Sequence, residues 1–148
     1  DEGVQAIQIF DSWVGCLSVS DYRNHVFAHS KKLIDGISGK VPIIHFGTGN
    51  PSLLPLMTQA GGDVMALDWR APLTESWDLL KCQAVQGNMD PIALFGSVDS
   101  VRQAAGLILE EVGGRPGHIF NLGHGILPET PVDNVKALVE FVQGYRIR

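Results

Sequence analysis

Five short runs of Val, Ile, Phe and Leu recur along the chain: Ala6–Phe10, Pro42–Phe46, Val64–Leu67, Ala84–Gly87 and His118–Leu122. Each leads into a polar or glycine-bearing loop and then into a segment with helical spacing. Strands alternating with helices predict right-handed βαβ units and a parallel sheet. Tyr22, Val26, Leu33 and Ile37 are spaced to share one helical face, as are Val101, Ala105, Ile108 and Val112, after which Gly113-Gly114 supplies a stop. In Thr130-Pro131-Val132-Asp133 a capping hydroxyl, a proline at the first helical position and an early carboxylate predict a helix start. Val132, Val135, Leu138, Val139 and Val142 are its expected buried stripe.

The chain has 148 residues, which suits one domain over 1–148. A period of about 20 to 30 residues per βα unit suits a barrel or a doubly wound sheet and shows no solenoid repeat. Five units are too few to close an eight-stranded barrel, which takes ~250 residues. Two architectures remain open: a complete five-stranded α/β domain, or the tail of a (β/α)8 TIM barrel. The chain opens on Asp1-Glu2-Gly3-Val4 without Met, a strand-like run follows at once, and a helix-like segment lies close to the other end. It is therefore expected to be part of a longer protein.

Composition narrows the function. With 45% hydrophobic and 18% charged residues, the chain can bury a core. A net charge of −5 with scattered Lys and Arg argues against nucleic-acid binding. Apolar runs such as Leu107-Ile108-Leu109 fall far short of the ~20 residues of a membrane helix. Cys16 and Cys82 make neither a disulfide framework nor a CxxC pair, and are expected to be reduced thiols of a cytoplasmic protein.

In either architecture, chemistry belongs to the loops at the C-terminal ends of the strands. Those loops read Asp11-Ser12-Trp13, Gly47-Thr48-Gly49-Asn50, Asp68-Trp69-Arg70, Gly87-Asn88-Met89-Asp90-Pro91 and Asn121-Leu122-Gly123-His124-Gly125. One such loop would mean little, because glycine is the ordinary residue of strand-to-helix turns. Five together suggest one shared site.

The same segments carry a resemblance. His118-Ile119-Phe120-Asn121-Leu122-Gly123-His124-Gly125-Ile126, with Pro128 and Thr130-Pro131, resembles the C-terminal signature of the uroporphyrinogen decarboxylase family. Val85-Gln86-Gly87-Asn88-Met89-Asp90-Pro91 is similar to the family's penultimate strand and loop. Gln8-Ile9-Phe10-Asp11-Ser12-Trp13 resembles its fourth strand, and Gly62-Asp63-Val64 with Leu67-Asp68-Trp69 its sixth. The resemblance covers essentially the whole chain and implies strands four to eight of a (β/α)8 barrel, the first three being absent.

That family removes the four acetate carboxyl groups of uroporphyrinogen to give coproporphyrinogen in heme and tetrapyrrole synthesis, and uses no cofactor or metal. A protonated pyrrole serves as the electron sink, so the protein must place carboxylates, stabilise the cationic ring and supply protons. By resemblance, Ser12 is a polar contact to substrate and His124 a donor to a substrate carboxylate or pyrrole, with Asp11 in support. Read as residues alone, Ser12 could equally cap a turn, and His124 could be a turn histidine between glycines. Asp68 and Asp90 read as loop caps. Arg70, beside a strand end, could pair with a carboxylate or serve structure. The family's arginine-rich loop, essential aspartate and tyrosine have no counterpart here, so no catalytic residue is assigned within the chain. The family also implies a full-length homodimer.

Two rivals stand beside this. A cobalamin-linked methyltransferase of the same superfamily would need zinc ligands, yet the corresponding strand end reads His45-Phe46-Gly47, with glycine where a thiolate belongs. His45 is then a packed or hydrogen-bonded strand histidine. A non-enzymatic ligand-binding α/β domain could use Gly47-Thr48-Gly49-Asn50-Pro51, but a lone GxG lacks the rest of a nucleotide fingerprint.

Overall fold

A computed structural model describes residues 3–146. Five parallel strands form one sheet in sequential order: β1 (Ile7–Asp11), β2 (Ile43–Gly47), β3 (Val64–Ala66), β4 (Ala84–Met89) and β5 (His118–Leu122). Neighbours pair in register, Ile7 with Ile43, Ile44 with Val64, Val64 with Ala84, and Val85 with His118. The alternation of elements is as the sequence predicts, and the fold is the five-unit α/β arrangement of a partial (β/α)8 barrel. Only β5 keeps both expected ends. β1 and β2 each start and end one residue later than expected, β3 stops one residue earlier, at Ala66, and β4 extends through Asn88 and Met89, which pair with Asn121 and Leu122.

The helices cover one side of the sheet. A short turn α1 (Val19–Asp21) passes through a π-helical turn at Tyr22–Val26 into α2 (Phe27–Ile37). The others are α3 (Leu54–Ala60), α4 (Leu73–Leu80), α5 (Val98–Val112) and α6 (Val132–Gly144). Tyr22, Leu53, Met57, Leu67, Trp77 and Val85 pack the main core between sheet and helices. Met89, Leu94, Val101, Ala105 and Leu138 continue it beneath α5 and α6.

α5 buries the predicted face and ends at left-handed Gly113, whose N–H donates to the Leu109 carbonyl. The first helical face is corrected at Leu33, which is exposed, while Ile34 is buried. The π turn is the cause. The Phe27 N–H donates five residues back to the Tyr22 carbonyl, and the extra residue rotates the downstream face by one position. The last helix is corrected at both its cap and its stripe. Pro131 is itself the cap residue, and the buried Thr130 hydroxyl finds no partner. Val132 (66% exposed) and Val139 face outward, while Val135, Leu138 and Val142 pack inward beside Ala137 and Asn134. The amide of Asn134 donates to the Leu94 and Gly96 carbonyls, satisfying a turn that the apolar pattern could not reveal.

The sheet is strongly curled. Strands three apart would stand about 14 Å from one another in a flat sheet. Yet Gln86 of β4 donates to the Gln8 side chain of β1 at 3.3 Å, over the concave face. Residues facing the helices alternate with residues facing this hollow. Phe10 points into the hollow and remains 68% exposed.

Candidate functional site

The loops after the five strands meet at the C-terminal rim of the hollow and are locked to their neighbours in turn. At Gly15, a side chain would overlap the Thr48 carbonyl, so only glycine lets the loop after β1 lie on the loop after β2. The Asn50 amide donates to the Leu17 carbonyl across the same junction. The loop after β2 is held to the end of β3 by Asp68. Its Oδ2 accepts from the Gly49 N–H at 2.6 Å, the Thr48 hydroxyl at 2.9 Å and Arg70 Nη1 at 2.8 Å, while Oδ1 accepts from the Arg70 N–H. The Asn88 amide of β4 donates to the Asp68 and Ala71 carbonyls. At Gly123, a Cβ would stand 2.5 Å from the Trp69 nitrogen, and the Gly123 N–H donates to the Met89 carbonyl. The loop carrying His124 is thereby pinned against both β3 and β4.

Two clefts result. The inner one, about 340 Å³, lies over the sheet and is lined by Phe10, Phe46, Gln8, Gln86 and Asn121 among others. The outer one, about 260 Å³, lies between the loops and is lined by Trp13, Cys16, Gly49, Trp69 and Arg70. Ser12 and His124 line both clefts and form their shared wall. The structure thus brings together the two residues singled out from opposite ends of the sequence.

The chemistry of each is defined by its neighbours. The ring nitrogen Nδ1 of His124 accepts the Gly125 N–H at 2.7 Å. A neutral imidazole in that position carries its proton on Nε2 and presents a donor. Its ring meets Phe46 edge to face, and Phe46 meets Phe10 likewise, an aromatic row across the hollow. Ser12 makes no hydrogen bond to the rest of the described chain and caps no helix, so its hydroxyl is available to the clefts.

Burial alone would raise the Asp68 carboxyl, but the donors from Gly49, Arg70 and Thr48 outweigh it and hold the group below its ordinary 3.8. Asp68 is therefore an anionic fastener between loops. Asp90 caps its loop as expected, accepting from the Ile92 N–H. Asp11 pairs with Gly47 at the end of β1, where burial raises its carboxyl and the nearby His45 opposes that rise. It belongs with the helix-facing shell, one residue from Ser12 yet on the other side of the sheet. Thr48 and Asn88 escaped sequence reading. The signal was a polar side chain at a strand end, hidden at Asn88 because the segment read as loop rather than strand.

His45 is buried, and Nδ1 lies 3.0 Å from the Gly61 carbonyl on the helix side of the sheet. Burial, more than its hydrogen bonds, lowers its pKa from 6.5, so the ring is neutral at pH 7. Cys82 lies outside the loop cluster, whereas Cys16 is exposed on the outer cleft. Among the described residues, no three His, Cys, Asp or Glu side chains converge as metal ligands. No described helix is long and apolar enough to cross a membrane.

A curled parallel βα sheet whose strand-end loops frame a polar-rimmed hollow is the ligand-binding face of the (β/α)-barrel class. Within that class the family is shown by comparison: residues 1–145 match the family model for uroporphyrinogen decarboxylase (URO-D), and the chain belongs to that family. It is 53% identical over 146 residues to the uroporphyrinogen decarboxylase of Koribacter versatilis, covering 97% of this chain and 42% of that protein. The uroporphyrinogen decarboxylase of Solibacter usitatus is 51% identical with the same coverage. A methyltransferase from Methanosarcina mazei superposes with a TM-score of 0.79 at 25% identity, over 95% of this chain and 42% of that one. The chain thus spans less than half the length of the curated relatives it matches.

Proposed function

We propose that this chain is the C-terminal part, over 1–148, of a single barrel domain that works as a uroporphyrinogen decarboxylase in heme biosynthesis. The full-length protein would convert uroporphyrinogen III to coproporphyrinogen III, without cofactor, as a cytoplasmic homodimer. The observation that carries the reading is the shared wall of Ser12 and His124 between two clefts, in a chain of this family. A pyrrole stacked over the aromatic row of Phe10 and Phe46 would sit within reach of the Ser12 hydroxyl and the His124 Nε2–H. Protonation of the pyrrole makes the ring accept the electron pair released when an acetate arm loses carbon dioxide. His124 and Ser12 would hold the arm and the ring in register while that pair moves.

Arg70 supplies the only charged side chain among the described lining residues of the two clefts. A substrate with eight carboxylates needs more cations than this, and the rest of the barrel would provide them together with the catalytic acid. The isolated chain is accordingly expected to be inactive. The test is conversion of uroporphyrinogen to coproporphyrinogen by the full-length protein, followed chromatographically with and without EDTA. Absence of turnover refutes the proposal. Turnover that EDTA abolishes and zinc restores would instead favour the metal-dependent relatives, a reading His45 does not support because its ring is engaged behind the sheet.

A further inference from the structure

We propose that Arg70 and the outer cleft form a carboxylate-binding subsite, which receives one carboxylate arm of the substrate while the ring lies over the inner cleft. The proposal rests on the decarboxylase reading and adds a ligand-binding role to a residue that could otherwise be a simple structural partner of Asp68. Three observations on the guanidinium carry it.

The first is that Asp68 does not need Arg70's side chain. Its carboxylate already accepts from the Thr48 hydroxyl and from the backbone N–H groups of Gly49 and Arg70. Asp68 is therefore a fixed anion that the guanidinium uses as an anchor.

The second is that the guanidinium is held in one place. Nη1 donates to Asp68 at 2.8 Å, and the group lies 4.0 Å above the Trp69 ring. A planar cation fixed at one edge and one face is oriented before any ligand arrives, so little side-chain freedom is lost on binding.

The third is that most of its donors remain unused. Five N–H groups are available on a guanidinium, and one is engaged within the described chain. The Arg70 side chain is 47% exposed and lines the outer cleft together with Ser12 and His124. A paired fork of N–H groups beside a hydroxyl and an imidazole N–H matches a carboxylate. The cleft, at about 260 Å³, is large enough for a short carboxylate arm but too small for a ring system of four pyrroles.

The arm held there would be bound similarly before and during reaction, so Arg70 should act on substrate affinity rather than on the chemical step. In the full-length protein, Arg70→Gln is expected to raise KM for uroporphyrinogen about 10-fold, with kcat within about twofold of wild type. Its KM should also depend less steeply on ionic strength, since one charge pair is lost. Arg70→Lys keeps the charge but not the fork, and should fall between the two. That variant serves as the readout should Arg70→Gln unfold below the assay temperature. Unchanged KM and unchanged salt dependence in a folded variant overturn the subsite while leaving the decarboxylase reading intact. A wild-type protein that does not turn over uroporphyrinogen overturns both.

Discussion

Asp68→Ala tests whether the site is held by interlocking loops or by the sheet alone. The substitution removes the acceptor of three donors: the buried Thr48 hydroxyl and the part-buried N–H groups of Gly49 and Arg70. The unmet Thr48 hydroxyl costs about 1–3 kcal/mol, and the N–H groups of the exposed Gly49 and Arg70 cost less, because water can reach them. The lost ion pair adds little, because the half-exposed Arg70 can turn to solvent, where such pairs are worth ~0–1 kcal/mol. The expected loss is on the order of 2–4 kcal/mol, a large share of the ~5–15 kcal/mol that holds a typical domain. Asp68→Asn keeps one acceptor oxygen and should lose roughly half as much. Urea unfolding of the full-length variants gives the comparison, with the midpoint shifting at constant slope. The acid limb supplies a second check. The folded carboxyl titrates below 3.8, so its stabilisation is present above that pH and is lost as pH falls through the folded value. Asp68→Asn should lack that part of the acid dependence. A loss under ~1 kcal/mol for Asp68→Ala would show that the donors find other partners, and that the fastener description is wrong.

Four further outcomes are expected. His124→Ala in the full-length protein should lower turnover by ~10²–10³ with little change in stability, since the ring is exposed on a glycine-flanked loop; wild-type rates would remove it from the site. Gly15→Ala should cost ~1–3 kcal/mol and impair activity by forcing the first two loops apart, and a wild-type melting temperature would contradict the close approach. His45 and His118 are both lowered from 6.5, chiefly by burial, so each stabilises the fold above that pH and that stability is lost as pH falls below it. Chemical denaturation should show stability falling with pH below 6.5, with ~1.4 kcal/mol per pH unit as the ceiling for each group, and a flat profile from pH 7 to 5 would refute this. The expressed 148-residue chain should self-associate, because β1 and β5 are unpaired edges among the described residues and Phe10 is exposed in the hollow; light scattering showing a monodisperse monomer would refute it.

The periodic parts of the molecule were legible in the sequence because they depend on neighbours a few residues away. Apolar runs marked all five strands, and the spacing of Val101, Ala105, Ile108 and Val112 placed the buried face of α5. Legibility failed where one residue changes the phase. The π turn at Tyr22–Val26 moved burial from Leu33 to Ile34, and no local pattern announces such an insertion. It failed again at Thr130, whose capping pattern is sound by type but whose helix starts after Pro131 instead. Ser12 and His124 were found from motifs; their common wall required the sheet's curl, a property of all five strands together.

The pleat of the strands explains why few charged groups face the hollow. Asp11 and Ser12 are adjacent, but the pleat sends one toward His45 and the helices and leaves the other on the clefts. The same alternation places Gln8, Phe10, Phe46 and Gln86 over the hollow and His45 behind it. The inner cleft is therefore lined by rings, amides and a hydroxyl, groups that suit the faces and N–H edges of pyrroles without favouring any charge. Arg70, the one Arg or Lys among the described lining residues of the two clefts, stands outside it, on the loop side of the wall. Such a division separates recognition of the ring from recognition of its arms. On the decarboxylase reading it also limits how strongly this part of the barrel can hold a ground-state carboxylate near the reacting carbon. A strong cation there would stabilise the carboxylate that must be lost and so raise the barrier to its departure. The hydrogen-bonding groups of Ser12 and His124 can orient that arm, and the outer subsite at Arg70 can bind an arm that does not react.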